Sequence, residues 1–60
     1  MKITRKQRLS LWRLFKRVRV NNPHMDYGFF RQSVEPGPGC IMVEAFGMWF
    51  GIEPDGYTHT

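Results

Sequence analysis

The stretch Glu35-Pro36-Gly37-Pro38-Gly39 constrains this chain most. Two prolines and two glycines within five residues cannot continue a helix, so the chain divides there. Before the break the apolar residues recur at helical spacing. Thr4 and Gln7 have capping-box spacing, which predicts a helix from Thr4 to about Val20, stopped by Asn21-Asn22-Pro23. Leu11, Leu14, Phe15 and Val18 fall on one stripe of that helix, and the charged residues from Arg5 to Arg19 occupy the opposite half. Asp26 is a good N-cap for a second, shorter helix to about Val34, with Tyr27, Phe30 and Val34 on one face and Phe29 beside it. Gly28 weakens that expectation.

After the break, residues 40–60 read as a three-stranded meander. Cys40–Ala45 and Met48–Ile52 are strands joined by Phe46-Gly47, with glycine in the left-handed position. Glu53-Pro54-Asp55-Gly56 has the residue order of a tight turn, leading into a short edge strand over residues 57–60. Gly51, inside the middle strand, signals a bulge or the close approach of an aromatic ring or backbone. The expected fold class is α+β, with two N-terminal helices packed on a small three-stranded antiparallel meander. It forms one domain over residues 1–60: helical half 4–34, Pro/Gly break 35–39, meander 40–60. Leu11, Leu14, Phe15, Val18, Phe30, Val43, Trp49 and Ile52 are the expected core.

A chain of 60 residues buries only about 60% of its unfolded surface, leaving little material for the supporting shell of a catalytic site. Aromatics make up 15% of the residues, enough to build a small core and to leave some rings at the surface. That surplus suggests a partner or self-association. The single cysteine, Cys40, has no internal partner for a disulfide, which fits a reducing compartment and a cytoplasmic setting. No apolar run has the roughly 18 residues of a membrane span, and Arg13, Lys16 and Arg17 interrupt any secretory signal. The same basic amphipathic helix has the character of a membrane-surface segment, but its apolar stripe is what a small core needs.

Charge is divided along the chain. Eight of the nine Lys and Arg residues precede residue 20, whereas all five Asp and Glu residues follow residue 25. Such a basic segment suggests a polyanionic partner, most readily nucleic acid, or docking on an acidic protein surface. Arg5, Arg8, Trp12, Arg13, Lys16 and Arg19 are the candidate binding residues: cations on successive turns track phosphates, and Trp12 among them is a stacking platform for a base. The plain alternative is that the cations only solvate the outer face while Trp12 folds onto the sheet. A helix-turn-helix reading instead presents Arg31, Gln32 and Ser33 to base edges. His24, Asp26, Cys40, Glu53, Asp55 and His59 have no metal-ligand spacing, and Cys40 has no neighbour that would orient it as a nucleophile. No phosphate loop, dinucleotide fingerprint or nucleophile elbow occurs, so neither a cofactor nor an enzymatic activity is expected.

The run from Gly47 to Thr60 (GMWFGIEPDGYTHT) resembles the end of short unannotated reading frames in tailed bacteriophages. The opening from Lys2 to Arg8, the Phe29-Phe30-Arg31 segment and Ile41-Met42-Val43 are similar to the same pattern. The resemblance implies a phage origin and carries no known activity and no functional residues. In that setting two roles compete. One is a host-cytoplasmic module binding nucleic acid or host machinery; the other is a minor virion component packed against larger capsid, neck or tail proteins.

Overall fold

The computed structural model describes residues 2–60. Helix α1 spans Arg5–Asn21 and α2 spans Tyr27–Gln32. Four strands follow: β1 (Glu35–Gly37), β2 (Cys40–Ala45), β3 (Met48–Ile52) and β4 (Thr58–His59). They form one antiparallel sheet in the order β1-β2-β3-β4, so the class is α+β.

The amino end of α1 is fixed by both halves of a capping box. The Gln7 amide donates to Thr4 Oγ1 at 3.0 Å, and the Thr4 amide donates to Gln7 Oε1 at 2.8 Å. The helix ends where expected, with the Asn22 amide closing on the Val18 carbonyl. Asp26 caps α2 through the Phe29 amide at 3.0 Å. That helix stops at Gln32 rather than near Val34, and the Ser33 hydroxyl turns back to the Phe30 carbonyl.

The Pro/Gly break is corrected by the structure, and the meander gains a strand. Residues 35–37 pair with β2 in the register Glu35↔Met42, Pro36↔Ile41, Gly37↔Cys40. Proline is tolerated because β1 is an edge strand, where one row of backbone groups needs no ladder partner. Pro38 and Gly39, the latter at φ 69°, form the turn, an order that suits proline in second place and a left-handed residue in third. The β2–β3 turn takes Phe46 at φ 55° and Gly47 at φ 72°, so both residues are left-handed, as a two-residue hairpin of matching twist requires. A left-handed phenylalanine costs about 1–2 kcal/mol. Its ring recovers contact with Phe50 at 6.5 Å and with the Arg17 guanidinium at 5.9 Å.

The core lies between α1, α2 and one face of the sheet. Leu11, Leu14, Phe15, Phe30, Val34, Ile41, Val43, Ala45 and Ile52 are buried. Val18 is only partly buried against them. Trp49 was an expected core residue and is not one: it is 47% exposed. Pairing of Glu44 with Trp49 and of Val43 with Phe50 sets the register. Side chains alternate along a strand, so with Ile52 inward Trp49 must face out, and Phe50 packs inward in its place.

Candidate nucleic-acid interface

Helix α1 sits on the sheet by means of its first three turns. Gln7 is 4% exposed, and its side-chain amide donates to the Ile52 carbonyl at 3.0 Å. Thr4 Oγ1 donates to the Pro54 carbonyl at 2.7 Å, and Ser10 Oγ donates to the Gly56 carbonyl at 2.6 Å. These bonds tie the helix to the end of β3 and to the turn before β4. They hold in place a helix start with no acid in its first turn, where Arg5, Lys6 and Arg8 oppose the helix dipole. The same arrangement adds the dipole's positive end to three cations, so the local potential is strongly positive.

All five cations of the predicted site, Arg5, Arg8, Arg13, Lys16 and Arg19, are exposed. At 3.6 residues per turn, Arg5, Arg8, Trp12, Lys16 and Arg19 fall within about 80° of one another, with Arg13 about 60° beyond. A 17-residue helix is about 25 Å long, and the molecule measures 30 × 20 × 17 Å, so this face runs along the long axis. Among the described residues, no Lys or Arg forms a salt bridge; one histidine–carboxylate contact occurs, His59 Nε2 to Glu53 Oε2 at 3.6 Å. Glu35 and Glu44 stand on the far side of the sheet from α1, as the strand register dictates, and the Glu53 carboxylate lies beside His59 of the row that holds Glu35. Among the described residues the cations are therefore not paired with any carboxylate. Arg19 lies over the Phe15 ring at 5.7 Å, which orients its guanidinium without removing its charge.

Trp12 is 42% exposed and does not fold onto the sheet. It leans on α1 and α2, 5.4 Å from Phe15 and 5.2 Å edge-on to Tyr27, so one part of the indole is fixed and the other is open. Arg5, Lys6, Arg8, Leu9 and Trp12 line a shallow cleft beside it. Leu9 is 50% exposed and, with Trp12, gives that cleft its apolar lining. Sequence reasoning missed Leu9, although the signal was present. The residue lies about 180° from the centre of the buried stripe, an apolar side chain between the cations Arg5, Arg8 and Arg13. Val20, also exposed, lies on the same outer crest. An apolar lining with a cationic rim suits a planar group carrying negative charge.

The segment at the end of α2 makes a poor reading surface. Ser33 is committed to the Phe30 carbonyl, Arg31 is half-buried and the helix has six residues. On the sheet, Cys40 Sγ and Met42 Sδ lie 3.7 Å apart. Among the described residues, no group of three or more His, Cys, Asp or Glu side chains is arranged to hold a metal ion, and no helix is long and apolar enough to cross a membrane. Comparison with known proteins finds no matching family model, no matching curated protein and no matching solved structure.

Proposed function

We propose that this protein is a small non-enzymatic binding module of phage origin that engages nucleic acid in the host cytoplasm through the outer face of α1. The observation that carries the reading is the set of unpaired cations along the molecule's longest face, with an open apolar cleft between them. Arg5, Arg8, Arg13, Lys16 and Arg19 neutralise successive phosphates, releasing condensed counterions. A base enters the cleft and stacks on the open part of Trp12, over Leu9. A single strand suits this arrangement better than a duplex, because bases in a duplex are already stacked and only a splayed base can use the cleft.

Trp12 itself reports on this contact. The chain has two tryptophans, so Trp49→Phe leaves Trp12 as the only indole. Titration of that variant with a short single-stranded oligonucleotide should quench its emission. Unchanged emission at saturating oligonucleotide would contradict base contact at Trp12.

A second reading, a minor virion component packed against larger subunits, draws support from the half-exposed Trp49 on the uncovered side of the sheet. It predicts retention in purified particles and no affinity for free oligonucleotide.

A further inference from the structure

The sheet is covered on one side only. Its register sets Glu35, Met42, Gly51 and His59 in one row across the uncovered face, with Glu44 opposite Trp49 in the adjacent row. Glu53 follows β3 on the same side, its carboxylate 3.6 Å from His59 Nε2. This face therefore has an apolar centre, Met42 and Trp49, flanked by three carboxylates, none of which meets a Lys or Arg among the described residues. The outer face of α1 is its inverse: exposed Leu9 and Trp12 flanked by cations.

We infer that the uncovered sheet face receives the outer face of α1 from a second copy of this chain, in a head-to-tail contact. Charge complementarity selects the occupant, since each face offers the sign the other lacks and the apolar centres meet between the charges. The contact also continues the layering of the fold, through the opposite face of α1 from the one that packs on its own sheet. Helix α1 covers the inner side of its own sheet, and a neighbour's α1 on the outer side continues the helix–sheet layering. A net charge of +4 does not oppose this contact. At physiological salt the screening length is about 8 Å, so pairs across the contact outweigh repulsion between distant faces.

Such a contact joins two different surfaces, so it does not close at two copies and continues into a ring or an open chain. It occupies the same α1 face as the proposed nucleic-acid contact, so a polyanion and a second copy compete for it. The inference does not depend on that earlier reading, because assembly is measured without nucleic acid.

The test is sedimentation equilibrium of the nucleic-acid-free protein over a concentration series. The weight-average mass should climb past that of a dimer and fall to the monomer at about 1 M salt, where the screening length is about 3 Å. Glu44→Lys and the double variant Arg13→Glu/Lys16→Glu alter exposed residues, and far-UV circular dichroism checks that both keep the fold. Each alone should lose assembly; an equimolar mixture should regain it, because the intact α1 face of Glu44→Lys meets the intact sheet face of the double variant and the two charge-reversed faces complement one another. A wild type that stays monomeric, a mass that stops at the dimer, variants that assemble like wild type, or a mixture that stays monomeric would each overturn the inference. Oligonucleotide affinity of Glu44→Lys, whose α1 face is intact, reports separately on the nucleic-acid reading.

Discussion

Gln7 is the polar side chain on which the placement of α1 turns. It completes the capping box with Thr4 and, from a buried position, donates to the Ile52 carbonyl. Replacing it by alanine leaves that carbonyl and the Thr4 amide without their partners. Gln7→Ala should therefore lower stability by about 2 kcal/mol in urea unfolding; a loss within the noise would mean that water replaces both bonds. The capping box was legible from four residues of sequence, whereas the long-range bond to Ile52 was not, because nothing local specifies a partner 45 positions away. Trp12 acts at the same scale. Trp12→Leu keeps apolar contact with Phe15 and Tyr27 but removes the stacking surface. It should weaken oligonucleotide binding on the order of five- to a hundredfold, the range of one lost base–aromatic stack, with little change in the salt slope. Leu9 was passed over for a different reason: an exposed apolar residue is common on protein surfaces and stands out only once a cleft is seen beside it.

At the scale of elements, the decisive junction is between α1 and the turn before β4. Gly56 has φ 92°, and a Cβ there would lie 3.1 Å from the Lys6 carbonyl and from Ser10 Oγ. Gly56→Ala should cost roughly 1–3 kcal/mol, from left-handed strain and the forced separation of turn and helix. A melting temperature equal to wild type would show that the turn relaxes freely. Gly51 shows the other use of glycine. Its Cβ position lies 2.7 Å from the His59 ring, the close aromatic approach that the sequence suggested, and no bulge is needed. Both helices, β2, β3 and the last turn were legible, since periodicity and turn residues are local signals. Strand β1 was not. Its Pro36 and Gly37, followed by Pro38 and Gly39 of the turn, read as a break, and only the neighbouring β2 edge makes a strand of residues 35–37. Trp49 was misplaced because its hydrophobicity outweighed the period of two that Ile52 imposes on the same strand.

Over the whole molecule, a charge division along the sequence becomes a division between faces. The early cations line the outside of α1, and Glu35 and Glu44 line the far side of the sheet, with the Glu53 carboxylate beside His59. The sequence carried the division, but whether the acids would fold back on the cations depended on the strand register. Register turns Glu35 and Glu44 away, and among the described residues no Lys or Arg is paired with a carboxylate. That these cations share the exposed side of one helix was legible from their spacing, and their lack of internal salt bridges among the described residues required the fold.

The most direct test of the proposed nucleic-acid contact is fluorescence-anisotropy binding of a short single-stranded oligonucleotide across a salt series. If about five phosphates are neutralised, log affinity should fall against log salt with a slope of about −3 to −4. Arg13→Glu/Lys16→Glu should bind more weakly and with a shallower slope. Absence of binding at low salt, or a slope near zero with the variant indistinguishable from wild type, would contradict the account.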